Sequence, residues 1–387
     1  YDVVDRAAAA ALAAQNPLSF LHVSRPEIGL PETTPLDAAV VYARAADNFK
    51  ALQDKGVFVR EAEPSLYLYR LQQAAHKQCG LVACCHAEDY TAGLIKKHEK
   101  TRQDKEDDRT RHIGALRAHG GLVFLMYRDQ PALTSQLQEI EARDPIYDFT
   151  LPDGVRHTVW RVRQTAPLSA ACAQISHCYI ADGHHRAASA ARIARDCRAA
   201  NPAPLGGEEY NWFPVVLFPA SQLQILPYNR CVKDLHGQST AAFLEAVGSQ
   251  MRMTPAAAAN PTQAGHARMY CAGQWYDLAL QPERAAAADG ADPTSGLDVH
   301  LLQMRLLQPI LGIGDPRTDQ RIDFSGGRQS VAELKQRVDS GAAAVAFAMF
   351  PVAGEQLMAI ADAGKSMPPK STWFEPKVRS GLLIHTF

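Results

Sequence analysis

The sequence predicts a mixed α/β (α+β) protein built in two parts. Helical and strand patterns alternate along nearly the whole chain, and the strand-like runs are short and either apolar or alternating. With 387 residues, the chain also exceeds what one hydrophobic core usually serves.

The elements follow from local chemistry. The Ala-rich stretch 7–14 fits a first surface helix, because it follows Asp5-Arg6 without the basic leader of a signal peptide. Residues 35–55 read as a helix closed by Gly56 at a C-cap position. Residues 65–70 (SLYLYR) and 81–86 (LVACCH) read as strands. A charged helix over 104–119 leads into an apolar strand over 122–127, and 155–162 alternates around Trp160. A short apolar strand at 178–181 precedes an Ala-rich helix over 186–200. After a loop with Pro and Gly at 201–209 comes a strand at 213–218. The pattern is weakest over 255–291, where one hairpin is expected. From residue 297 the order is helix, Gly-rich loop, helix, strand, helix, Pro-rich loop and a last strand. The division is expected near 233–240, giving parts 1–235 and 236–387.

Composition narrows the function. Forty Lys and Arg stand against 41 Asp and Glu, so the basic excess of a nucleic-acid-binding protein is missing. No apolar run approaches the roughly 20 residues a membrane helix needs. The eight cysteines, at 79, 84, 85, 172, 178, 197, 231 and 271, form no C-x-x-C pair and suit reduced thiols in a cytoplasmic protein. The chain starts at Tyr1 rather than Met, so a native N-terminal segment is expected to precede it.

Three segments carry chemistry. The first is Asp182-Gly183-His184-His185-Arg186, where a strand runs into a Gly turn and a helix starts. The first amides of a helix lack internal partners and lie at the positive end of the dipole, which suits a phosphate or carboxylate. Two imidazoles and a guanidinium would add donors and positive charge. The plain alternative is a polar helix start that Asp182 caps. Zinc is disfavoured here, because adjacent His184 and His185 rarely both reach one ion and no third ligand is evident. The second segment places His98-Glu99 among Lys96, Lys97, Lys100 and Arg102. Arg102 stands where an H-E-x-x-H zinc helix needs its second histidine, so that metal site cannot form. What remains is either a solvated helix face or a general base, Glu99, among groups that hold phosphate oxygens. The third is Pro368-Pro369-Lys370-Ser371-Thr372, an ammonium and two hydroxyls without the frame of a P-loop. Asp315 and Arg317, in the Gly312–Arg321 run, either line a site or belong to an internal salt-bridge network.

These motifs resemble a known group. DGHHR after a strand, an upstream His-Glu and a late Pro-Lys-Ser-Thr loop recur in that order in the free serine kinases, which have a ParB/sulfiredoxin-like core. The chain resembles still more closely a large bacterial family of unknown function related to them. That likeness runs through YDVV at 1–4, SFLHVSRPEI at 19–28, KKHEKTRQDKEDDR at 96–109 and IADGHHRAASA at 180–190. It continues through LGIGDPRTDQRIDF at 311–324 and MPPKSTWFEPK at 367–377. The resemblance implies a ParB/sulfiredoxin-like core with large N- and C-terminal additions. It implies Glu99 as catalytic base and Asp182, Gly183, His184, His185 and Arg186 as the nucleotide phosphate turn. Lys370, Ser371 and Thr372 are implied to serve the same site from the C-terminal part. Where the kinases carry a functional Trp, this chain has Tyr228, a departure that leaves both the substrate and the sameness of the amino-acid pocket open. Sulfiredoxins use a Cys where His184 stands, and ParB proteins add a basic helix-turn-helix that is missing here.

The expected function is phosphoryl transfer from ATP or ADP, with Mg²⁺, to the hydroxyl of a small molecule, free serine being the first choice. His98, Arg102, Tyr228, Asp315 and Arg317 are the further candidates for lining the site. The alternative is a nucleotide-binding regulatory or sensor protein without turnover.

Overall fold

The alternating run after Ser65 forms β1 (Leu66–Gln73), which turns at Ala74 and pairs antiparallel with β2 (His76–His86). The computed structural model describes residues 5–281, 292–328 and 330–387, so YDVV at 1–4 and the end of the weakly patterned stretch, 282–291, lie outside the described residues. The chain divides into two units, 1–222 with 376–387, and 223–375.

Up to residue 222 the first unit continues with β3 (Ile95–Lys96), β4 (Ala118–His119), β5 (Val123–Tyr127), β6 (Tyr147–Thr150), β7 (Arg156–Val162), β8 (Cys178–Asp182) and β9 (Trp212–Pro219). Eight strands form one mixed sheet in the order β3-β8-β5-β9-β2-β1-β7-β6. Pairs β3/β8 and β5/β9 are parallel and the others antiparallel. Every residue of central β5 is buried, as its continuous apolar run requires. Leu68, Leu81, Leu125, Ile180, Val215 and Leu217 build the main core of this unit.

The helices of this unit are α1 (Arg6–Ala13), α2 (Leu21–Ser24), α3 (Ala39–Asp54), α4 (Ala87–Thr91), α5 (Gln103–Leu116), α6 (Pro131–Glu141), α7 (Ala166–Cys172) and α8 (His184–Ala200). Small residues let α8 lie close against α5. Ala187, Ser189, Ala190 and Ala194 are buried, and Ser189 Oγ donates to the Glu106 carbonyl at 3.1 Å. The helix expected over 104–119 ends at Leu116, because Arg117 turns left-handed (φ 52°) and 118–119 become β4. The helix expected from 186 begins two residues earlier, at His184.

The second unit contains β10 (Ile225–Leu226), β11 (Tyr228–Val232), α9 (Thr240–Gln250), β12 (Met253–Pro255), β13 (His266–Cys271), β14 (Gln274–Ala279), α10 (Asp298–Leu302), β15 (Ile322–Gly326), α11 (Ser330–Asp339), β16 (Val345–Met349), α12 (Gly354–Asp362) and β17 (Trp373–Phe374). Its six-stranded sheet, β12-β14-β13-β16-β11-β15, is antiparallel throughout. Because β11 lies inside this sheet, the units part at 222/223 rather than at 235/236. The chain's last strand, β18 (His385–Thr386), pairs with β4 in the first unit, so the C-terminal twelve residues do not belong with 236–375.

Asn229 pins the centre of the second sheet. Its buried amide donates to Ser330 Oγ at 2.8 Å and accepts from the Met349 N–H at 2.9 Å. Asn229→Ala is expected to destabilise this unit by about 2–4 kcal/mol, since it leaves a buried amide and hydroxyl without partners. Urea unfolding of the full chain measures the loss. All eight cysteines are free thiols. No helix among the described residues is long and apolar enough to cross a membrane.

Candidate active site

The centre of the site is the passage from β8 to α8. Tyr179, Ile180 and Ala181 are buried in the sheet, and Asp182 ends the strand. Gly183 then adopts φ 105°, ψ 33°, a left-handed conformation that side chains disfavour. A Cβ there would lie 2.7 Å from Arg186 Nε. The first turn of α8 carries no acidic residue and no side-chain cap, which leaves its positive end suited to an anion. Asp182 does not cap it. Its carboxylate instead accepts from Arg186 at 2.8 Å and faces Lys377 Nζ at 3.6 Å.

Strand register brings the second motif here. In the parallel pair β3/β8, Ile95 lies opposite Cys178 and Lys96 opposite Tyr179, so the chain leaving β3 delivers residues 98–102 beside the turn. The His98 N–H donates to His184 Nε2 at 3.5 Å, and the Arg102 N–H donates to His185 Nε2 at 3.0 Å. The His98 and His184 rings meet edge to face with centroids 4.4 Å apart. The Glu99 carboxylate, half-exposed, stands 3.9 Å from His184 Nδ1. Of the surrounding cations, Lys97 lies over the Tyr90 ring at 4.4 Å and Arg102 pairs with Asp104 at 2.8 Å.

Protonation differs from the sequence expectation in one respect. Burial holds His98 down to about 4, against the opposing pull of its Ile180 backbone hydrogen bond and the Asp182 charge. Burial, reinforced by the neighbouring His98, also pushes His184 well below its ordinary value. Both rings are therefore neutral at pH 7, so His184 adds a hydrogen-bonding group to the turn and not the positive charge expected there. For Asp182, burial acts to raise the pKa, but Lys377 and Arg186 outweigh it and bring the carboxyl to about 2. A depressed carboxyl stabilises the fold above its unfolded pKa of about 3.9 and loses that contribution as pH falls towards the folded value. Asp182→Asn is thus expected to be less stable than the natural chain at about pH 5 and to match it at about pH 2. Thermal unfolding across that range tests this.

His98, Glu99 and His184 are the group of potential metal ligands found among the described residues, with ligand atoms within 4.8 Å of one another. Two nitrogens and one oxygen do not suit Mg²⁺, which prefers an octahedron of oxygens. The expected Mg²⁺ therefore has no resident site in this cluster. The imidazole that meets His184 is His98, not the adjacent His185 whose pairing with it disfavoured zinc.

A cavity of about 130 Å³ adjoins the turn, lined in part by Arg109, His112, His119, Asp182, Arg186 and Lys377. Arg109 and Lys377 stand within the motifs quoted above, without an expected role of their own. Their partnership with the turn has no local signal, because α5 and the 376–387 segment supply them.

The remaining candidates lie in the second unit. Lys370, with φ 54°, holds its ammonium 5.4 Å from the Tyr228 ring centroid, so these two meet. Tyr228 also packs edge-on against Trp373 at 5.4 Å. Ser371 is buried and donates to the Pro368 carbonyl at 2.6 Å, which commits its hydrogen to shaping the loop. Asp315 caps its own turn by accepting from the Arg317 N–H at 2.9 Å. The neighbouring Asp319–Arg321–Asp234 ion pairs match the internal-network reading of that segment.

No curated protein matches the chain in sequence. Among solved structures, it resembles a conserved hypothetical protein from Pyrococcus furiosus at 11% identity and TM-score 0.37, covering 77% of this chain and 93% of that one. It also resembles SbnI with a C-terminal truncation from Staphylococcus aureus, at 11% identity and TM-score 0.40, covering 77% and 84%. A free serine kinase in complex with AMP is similar at 9% identity and TM-score 0.37, covering 76% and 86%. These likenesses are weak and assign no activity. Residues 1–300, by contrast, match the family described as "Protein of unknown function (DUF1015)", and the chain belongs to that family.

Proposed function

We propose that this protein is a nucleotide-dependent phosphotransferase acting on the hydroxyl of a small molecule, with free serine the first acceptor to test. The observation that carries the reading is the approach of Glu99 to His184 at the open end of α8. A carboxylate beside an anion-binding helix start is the minimum that base-assisted phosphoryl transfer requires. In this reading Glu99 takes the hydroxyl proton as attack begins. The first-turn amides of α8, with Arg186, meet charge on the transferred phosphoryl group. His184 positions Glu99. The kinship with free serine kinases and the ParB/sulfiredoxin-like core rest on the motifs quoted above. Mg²⁺ belongs to the nucleotide as substrate, bound through phosphate oxygens.

Purified protein with Mg²⁺, L-serine and either ATP or ADP is expected to yield O-phosphoserine, detected by mass spectrometry. Nucleotide binding without a phosphorylated product, across a panel of small hydroxyl compounds, would instead favour a sensor. Lys370, Ser371 and Thr372 keep the nucleotide role implied by the resemblance. Lys370→Met is accordingly expected to weaken nucleotide binding by about tenfold, or 1.4 kcal/mol, in calorimetric titration.

A further inference from the structure

The His98 side chain is left with an unused lone pair. The residue is 2% exposed, its Nδ1 has no hydrogen-bond partner, and it bonds the Ile180 backbone, which leaves Nε2 as the donor. A neutral imidazole fixed through one nitrogen to a backbone carbonyl, with the other nitrogen open, is the arrangement found behind metal-ligating histidines. Leaving such a nitrogen buried and unpaired otherwise costs about 1–3 kcal/mol. Around it stand a second buried imidazole and a carboxylate that can move, since Glu99 is 39% exposed while His184 is 6% exposed.

We propose that His98, Glu99 and His184 form a three-ligand site for a borderline divalent cation of the zinc class. Two imidazole nitrogens and one carboxylate oxygen match that class, with a fourth position open to water. Bonds of about 2.1 Å in a tetrahedron place ligand atoms about 3.4 Å apart. The present ligand atoms lie within 4.8 Å of one another, so binding draws them together by up to about 1.4 Å. Coordination through His184 Nδ1 moves that ring's hydrogen to Nε2 and gives up the long contact with the His98 amide. Ion binding itself does not depend on the phosphotransferase reading. Its consequence does: a carboxylate bound to the ion cannot accept the hydroxyl proton, so the loaded site is inhibited.

The test uses the full chain, stripped with a chelator and titrated with Co²⁺ as the spectroscopic probe. One equivalent should produce saturable visible d–d absorption that Zn²⁺ displaces, without sulfur-to-cobalt charge transfer in the near ultraviolet. His98→Ala should abolish it. Because that buried substitution can harm folding, half-exposed Glu99→Gln provides the second variant and should weaken Co²⁺ binding at least about tenfold. No saturable band in the natural chain, thiolate charge transfer, or undiminished affinity in Glu99→Gln would each overturn the site. Product formation by the stripped enzyme with Mg²⁺ and nucleotide is scored separately. Cobalt binding without product sinks the kinase reading alone, and product without cobalt binding sinks the metal site alone.

Discussion

Glu99→Gln is expected to slow phosphoryl transfer by about 10²–10⁴-fold while nucleotide affinity stays unchanged. Glutamine has the same shape but cannot accept the hydroxyl proton, and half-exposed Glu99 is not part of a packed core. Neither adjacent imidazole takes over. His184 Nε2 already accepts the His98 amide, so in the neutral ring Nδ1 carries the hydrogen and offers no lone pair. The His98 lone pair sits on a buried ring and not at the half-exposed carboxylate's position. Product formation at saturating nucleotide measures the effect. A rate unchanged by the substitution removes Glu99 from the chemistry.

The second large effect is expected at Gly183. Alanine there must hold φ 105°, a strain of about 1–3 kcal/mol, and its methyl would meet the Arg186 guanidinium at 2.7 Å. Relief requires the Arg186 guanidinium to leave Asp182, which displaces a cation from the turn. Gly183→Ala should therefore lose stability by that amount in urea unfolding. It should also lose about tenfold in nucleotide affinity, or 1.4 kcal/mol, in titration calorimetry. Stability loss with unchanged affinity would show that the turn does not contact phosphate.

The passage from β8 to α8 was legible because its signals are local: a buried apolar triplet, a glycine and an Ala-rich helix within 23 residues. Tyr147–Thr150 was not, since an edge strand that is mostly exposed carries no apolar alternation to read. Ile322–Gly326 was missed because a glycine-bearing run reads as loop. Here the glycine serves packing, as a Cβ on Gly326 would overlap the Trp373 ring. Residue type and order singled out Glu99 and the turn as candidates, but the meeting of His98 with His184 depends on β3/β8 pairing across more than eighty residues. Likewise, nothing near Lys377 in sequence announces that it lies against Asp182.

The pairing of β10 with β17 sets Ile225 opposite Phe374, so the chain enters and leaves the second unit on adjacent strands. Cα atoms so paired are about 5 Å apart. Residues 223–375 are thus an insertion within the sequence of the first unit, and its two ends lie on paired strands. Joining residues 222 and 376 by a short turn therefore asks directly whether 1–222 with 376–387, which carry Glu99, the glycine turn and Lys377, fold as one polypeptide without it.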